Sequence, residues 1–432
     1  MRLRFRPPTA LAWRQLPLRV SLLTTGLTLL LPALLLALFP RRLAVGLDRL
    51  LPEAALLQSF SARPAEPPPA LWLQRLGPQD AQRLWSRQRR LWWQFWGPHG
   101  DAGSYLVIPA VQEEALPAAA LRVDDLLVIA PNPLARQLLQ EQLKLRRRPS
   151  RGLDRRCSTL LLQRTAVHWN GVAVAQMLGP LAPLATQLQQ GCLVLSSEGN
   201  RLLWSGEADA TADTITDAPA ALSASGAAPL PAPQLLQLRG RRLELLLRGL
   251  TASALLRSAL AERYGLGPEQ LQRLQAAPFE LQLRLEPRGP FRAGLLLLID
   301  LPPDRRFWER WLQDLARGLQ RQGLERSQPL PGLSSWSRAD GTVVGGWRWL
   351  ARRRLLWFLG PVPRSVAASP ALGDADWRLQ LRPQALAGNG LLPPGLPLVV
   401  RRAQQLQLQG KGEAEGLAGQ RQSALSGQLE LR

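Results

Sequence analysis

Twenty consecutive positions, Val20 to Phe39 (VSLLTTGLTLLLPALLLALF), carry no charge. At about 1.5 Å per residue a helix of that length spans roughly 30 Å, the thickness of a hydrocarbon core. Arg19 stands at one end and Arg41 and Arg42 at the other. Pro32 lies mid-span, which membrane helices tolerate. A cleaved signal peptide has a shorter apolar core and a small-residue cleavage site, whereas here Pro40, Arg41 and Arg42 follow the run. The pattern predicts a basic tail over 1–19 and a single transmembrane helix over 20–39.

Beyond the anchor, the pattern alternates between short apolar runs and amphipathic stretches. Residues 40–69 read as a connector ending in the stiff run PAEPPP at Pro64–Pro69. Residues 208–233 (ADATADTITDAPAALSASGAAPLPAP) lack Arg, Lys and aromatics and read as a flexible linker. These breaks leave two folded halves, 70–207 and 234–432. Within them a strand repeatedly meets a Gly/Pro/Asn/Asp turn and then a helix. Ala70–Leu76 precedes a helix to about Trp96. Leu126–Ala130 precedes a helix to about Leu145, with Asn132 as N-cap and Pro133 at the first helical position. Leu243–Leu247 leads into Thr251–Tyr264. Leu295–Leu301 leads through Pro302–Pro303–Asp304 into a helix stopped at Gly323. Leu355–Leu359 leads through Gly360–Pro361 into a weaker helix.

Hairpins lie between these units. Phe279, Leu281, Leu283 and Leu285 alternate with Glu280, Gln282, Arg284 and Glu286, predicting a strand with one buried and one wet face. Cys192–Ser196 and Arg201–Ser205 flank the turn Glu198–Gly199–Asn200. Asp340–Gly341 opens a hairpin before Val343–Leu350, and the chain ends on alternating Leu429 and Leu431. The expected fold class is α+β: the membrane helix, then two halves of strand–turn–helix units and hairpins on antiparallel or mixed sheets.

Two stretches are rich in tryptophan. In Arg83–Trp96 (RLWSRQRRLWWQFW) a helical projection puts Leu84, Trp85, Leu91, Trp92, Phe95 and Trp96 on one stripe, with Arg83, Arg87 and Arg90 opposite. Such a helix packs its aromatic face on a sheet, lies in a membrane interface, or interleaves charge and rings against nucleic acid. An anchored, outward-facing domain makes nucleic acid the weakest partner. In Phe307–Leu319 the stripe Trp308, Trp311, Leu312, Leu315 and Leu319 predicts a helix packed on the core.

Charge changes the picture. The formal net charge is +22, and all but two of the 54 basic residues (Lys144 and Lys411) are arginines. Arginine in place of lysine, with much Leu, Ala, Pro and Gly, is also what a GC-rich genome produces. Either way, a basic surface attracts anionic headgroups or acidic proteins. Arginines 2, 4, 6, 14 and 19 precede the span, against Arg41, Arg42 and Arg49 soon after it, which favours a cytoplasmic N-terminus with the bulk periplasmic or lumenal, at a plasma or thylakoid-type membrane. The candidate contact residues for membrane or partner are the tryptophans Trp85, Trp92 and Trp96 and the clusters Arg146, Arg147, Arg148 and Arg352, Arg353, Arg354.

Catalytic signatures are missing. The chain has no HExxH, GxSxG or GxxxxGK[ST] motif, and Gly265–Leu266–Gly267–Pro268 lacks the third glycine of a dinucleotide fingerprint. With only His99 and His168, a histidine-based metal site or triad is disfavoured. No cofactor or metal is expected. Asp124–Asp125 and Asp209, Asp213 and Asp217 read as a turn and a solvated linker, with cation binding as the alternative. His168–Trp169–Asn170 precedes a helix expected over about 171–190. Cys157 and Cys192 either form one disulfide or are two small buried residues.

The strand–turn–helix units, with the phrase LVLSSEGNRLLWSGEA at Leu193–Ala208, resemble a family of membrane-anchored bacterial proteins, mainly cyanobacterial, that carries a domain of unknown function. That resemblance implies an N-terminal span followed by repeated units of this kind and implies no activity. The function expected is therefore a membrane-tethered, non-enzymatic binding or assembly protein. The alternatives are an envelope hydrolase with an unrecognised site and a lipid-binding or lipid-transfer domain.

Overall fold

The computed structural model describes residues 45–97, 103–110, 119–145, 152–178, 188–210, 229–251, 254–286, 292–363, 372–412 and 422–431. The segments Val20–Phe39 and Arg146–Arg148 and most of 208–233 lie outside them. No helix among the described residues is long and apolar enough to cross a membrane.

The fold is α+β around one large antiparallel sheet. The first half supplies β1 (Leu56–Ser61), β2 (Leu91–Trp96), β3 (Tyr105–Pro109), β4 (Ala120–Val123), β5 (Leu126–Ile129), β6 (Ala166–Asn170), β7 (Leu188–Glu198) and β8 (Arg201–Ala210). The second supplies β9 (Gln234–Gly240), β10 (Phe279–Leu285), β11 (Ala293–Asp300), β12 (Glu325–Leu330), β13 (Leu333–Ser337), β14 (Val343–Trp349), β15 (Arg354–Leu359), β16 (Trp377–Leu381), β17 (Gln405–Gly412) and β18 (Gln422–Glu430). Their order in space is 12-13-14-15-11-10-9-16-17-18-8-7-6-1-2-3-5-4. The halves meet where β18 pairs with β8 from Gln422↔Asp209 to Glu430↔Arg201, so the last strand of the chain is stitched onto the first half.

Helices cover the sheet unevenly. In the second half, Trp308, Trp311, Leu312 and Leu315 of the helix Arg305–Arg321 pack on Leu236, Leu238, Ile299 and Leu355, as the stripe predicted. In the first half both faces are covered. Leu139, Leu143 and Leu161 of the helices Pro133–Leu145 and Gly152–Gln163 meet Leu57, Phe95 and Val128. Trp72, Leu84 and Trp85 of the helix Ala70–Trp85 meet Trp92, Leu106 and Ile129.

On the opposite face of the second half, β10, β9, β16, β17 and β18 are polar and largely buried, while Leu296, Leu298, Leu356 and Phe358 of β11 and β15 form a small apolar cluster beside them. The register sets one glutamine from each of five adjacent strands at one level: Gln282, Gln237, Gln380, Gln407 and Gln428. In β17, Gln405, Gln407 and Gln409 are buried while Leu406 and Leu408 are half-buried. The expectation of a wet face on β10 is thus overturned, since Glu280 and Gln282 are 4% and 0% exposed. These groups tolerate burial because they bond one another: Gln237 Nε2 donates to Glu280 Oε1 at 2.8 Å and Gln234 Nε2 to Gln282 Oε1 at 3.1 Å. The apolar face uses rings over glycines. Trp169, Trp204, Trp377 and Phe279 lie directly opposite Gly191, Gly427, Gly410 and Gly240, where any Cβ would overlap the ring.

Several expected elements change type. Ala70–Leu76 is helix and not strand; the helix Ala70–Trp85 enters from Pro69 and kinks at Gly77 (φ 77°) before Pro78. It stops at Trp85, where a turn through Arg87 and Gln88 begins, and Leu91–Trp96 is strand β2. Aromatic residues favour strands, and here both faces of β2 are covered, so no one-sided stripe forms. Leu243–Leu247 enters the helix Glu244–Thr251, because a short apolar run does not by itself distinguish strand from helix. The connector residues 47–61 are ordered: the helix Leu47–Leu50, the 3-10 turn Leu51–Glu53 and strand β1 bury Leu47, Leu50, Leu51 and Leu57 in the first core. The helix expected over 171–190 is Gly171–Leu178, capped by Asn170, and β7 begins at Leu188.

Candidate functional site: an arginine cleft beside the long helix

Strand β11 delivers the chain to Leu301, buried at 1% exposure, and the rigid pair Pro302–Pro303 turns it. Asp304 follows in the left-handed region (φ 107°), and its carboxylate accepts the Phe307 amide at 3.1 Å, starting the helix. The buried stripe beginning at Trp308 fixes the helix rotation, which leaves Arg305 and Arg306 exposed. The turn between β14 and β15 lies alongside, clamped by Arg353 Nε donating to the Leu301 carbonyl at 3.0 Å and the Leu301 amide donating to the Arg353 carbonyl at 2.9 Å.

The result is a cleft of about 710 Å³ with an apolar floor of Leu301, Pro302, Trp308 and Trp349. Its charged lining is Arg305, Arg306, Arg352 and Arg353 against Asp304 and Glu309. Both carboxylates already have partners. Glu309 Oε1 is 2.7 Å from Arg305 Nε, and Asp304 Oδ2 is 3.6 Å from Arg273. Arg305 also lies over the Trp349 ring, 4.8 Å from its centroid. The cleft therefore carries surplus positive charge on rigid elements, which suits an anionic group with an apolar neighbour.

The residues singled out from sequence divide. Arg352 and Arg353 line the cleft; Arg354 begins β15, 3.8 Å from Asp300. Trp85, Trp92 and Trp96 are only 2%, 4% and 4% exposed and belong to the core. Trp92 stacks on Phe60 and meets Trp72 and Trp85 edge-on. Arg305, Arg306 and Trp349 were missed, although two arginines after Pro-Pro-Asp at a helix start were a visible signal.

Among the described residues no group of three or more His, Cys, Asp or Glu side chains could hold a metal ion. Asp124 sits in a turn (φ 53°) and accepts the Gly46 amide at 2.8 Å, which ties residue 46 to the β4–β5 hairpin. Cys157 and Cys192 form a disulfide between the helix Gly152–Gln163 and β7. His168, directly opposite Cys192 on β6, is 2% exposed, and among the described residues neither ring nitrogen has a hydrogen-bond partner. Burial pulls its pKa down to about 4, so it is neutral at ordinary pH. Its Nε2 is 3.9 Å from Asp154, whose pKa is raised by burial and by the nearby charges of Asp209 and Asp48.

No family model, curated protein or solved structure matches the chain significantly. Function is therefore argued from the site itself.

Proposed function

We propose that the chain is a membrane-tethered, non-enzymatic binding or assembly protein whose arginine cleft engages anionic lipid headgroups at a membrane surface. The observation that carries this reading is the composition of the cleft: four arginines against two carboxylates that are both already paired to arginines. A hydrolase would need an acid and a base free to act together, and both of these carboxylates are held by arginines. The apolar run Val20–Phe39 supplies the tether in this reading. The Cys157–Cys192 disulfide supports a periplasmic or lumenal bulk, because such bonds persist in oxidising compartments.

The test uses the full chain reconstituted into neutral-lipid nanodiscs. These should capture vesicles containing an anionic phospholipid and ignore neutral vesicles, with capture weakening as salt rises. A basic residue near such a surface contributes about 1 kcal/mol, roughly fivefold in affinity. Replacing Arg306 and Arg352 with Gln should therefore lower capture about 25-fold by that estimate. Arg317→Gln with Arg321→Gln, the same charge change at the far end of the same helix, should cost much less. Equal losses from the two pairs would make the effect one of net charge and remove the cleft from the account. Release of the full chain from native membranes by carbonate would remove the tether.

A further inference from the structure

The buried polar face holds a second feature that the cleft does not use. On that face Arg378 of β16 stands directly opposite Arg239 of β9 on one side and Gln409 of β17 on the other. Arg239 has a counter-ion, with its Nε 3.5 Å from Glu280 Oε2. Among the described residues Arg378 enters no ion pair; its one hydrogen bond runs from Nη2 to the Leu372 carbonyl at 3.3 Å. Burial, and then the charge of Arg239, hold the Arg378 guanidinium below its usual pKa. With Glu280 on the far side of Arg239, the half-buried Arg378 carries a positive charge beside a second arginine, a place that penalises it.

Beside Arg378, itself half-buried, the sheet lines a small, partly open space of about 10 Å³, walled by Arg378, Gln407, Gln409, Ser426 and Gln428. A space of roughly that size holds one water-sized particle. Its wall is rich in donors. Ser426 Oγ accepts Gln409 Nε2 at 3.1 Å, which leaves the hydroxyl proton to be donated elsewhere. Gln428 Nε2 donates to Gln407 Oε1 at 3.1 Å, which fixes the two amides against each other. Arg378 keeps guanidinium protons that the Leu372 carbonyl does not take.

We propose that this cavity is a binding site for one chloride-sized monovalent anion, held by the Arg378 guanidinium and the Ser426 hydroxyl. A water would fill the space but leave the charge of Arg378 unanswered, whereas a halide fills it and neutralises that charge. A phosphate or a carboxylate ligand is too large. The anion would act as a pin across β16, β17 and β18, the strands that join the second half to β8.

The test compares thermal unfolding of the full-length, detergent-solubilised protein in sodium chloride and in sodium gluconate at matched ionic strength. Tm should be higher in chloride and should rise with chloride concentration as one-site linkage requires. Arg378→Gln should lose the chloride increment, and Arg317→Gln, an exposed arginine on the long helix, should keep it. Ser426→Ala should move the chloride midpoint to several-fold higher concentration. Crystals soaked in bromide should show an anomalous peak between Arg378 and Ser426. Equal Tm in the two salts, or an undiminished increment in a folded Arg378→Gln, overturns the proposal. Should Arg378→Gln fail to fold, Ser426→Ala and the bromide map decide, and an unshifted midpoint with a water in place of bromide overturns it equally.

Discussion

Replacing Trp92 with Ala tests whether the aromatic segment is core or membrane face. Trp92 is 4% exposed, with its ring centroid 4.4 Å from Phe60, 5.9 Å from Trp72 and 6.3 Å from Trp85. A buried tryptophan hides about 150–250 Å², which at about 25 cal/mol per Å² corresponds to roughly 4–6 kcal/mol. The three neighbouring rings sit on β1 and on the helix Ala70–Trp85, so they cannot close over the space left behind, and an uncollapsed cavity keeps the cost high. The expected loss is about 4–5 kcal/mol, a large part of the roughly 5–15 kcal/mol that holds a typical domain folded. Urea unfolding followed by circular dichroism should show a much lower midpoint with an unchanged slope. Trp92→Phe keeps a ring against Phe60 and should cost clearly less. Vesicle capture per folded molecule should not change in either variant. A Trp92→Ala protein with wild-type stability and weakened vesicle capture would refute the core assignment.

Gly410→Ala puts a methyl group into the Trp377 ring and should cost about 1–3 kcal/mol. Trp377→Ala in the same chain should relieve part of that cost, read as a coupling energy in a double-mutant cycle. His168 titrates near 6.5 in the unfolded chain and near 4 in the folded one, so between these values the unfolded state binds more protons and stability falls as pH falls. The loss approaches about 3 kcal/mol by pH 4. The pH dependence of urea midpoints should flatten across that window in His168→Leu, and an identical slope in both proteins would contradict the buried neutral histidine.

The parts legible in the sequence were those with a local physical cause. Asn132–Pro133 marks a helix start because a side-chain acceptor and a preset φ act within one turn, and Asn132 Oδ1 does accept the Ala135 amide at 2.8 Å. The stripe from Trp308 to Leu319 marks a buried helix face because its period is 3.6. Gly199 and Gly341 mark hairpin turns because both take positive φ, 61° and 81°. The arginine excess and the absence of catalytic motifs are likewise properties of the chain alone.

Tertiary structure decided the rest, because contacts distant in sequence carried it. Leu91–Trp96 is a strand only because β1 and β3 hydrogen-bond it from both sides and cores lie on both faces. Glu280 and Gln282 are buried only because β9 brings Gln237 and Gln234 to bond them, which no period-2 pattern within β10 reveals. Residues 47–61, spacer-like by composition, are fixed by the packing of Leu47, Leu50 and Leu51 in the first core and by the pairing of β1 to β2 and β6. Arg306 and Arg352, 46 positions apart in number, share one cleft because the Leu301–Arg353 backbone contacts hold the β14–β15 turn against the helix start. The sequence supplies the charges, and the register of the sheet sets which of them meet.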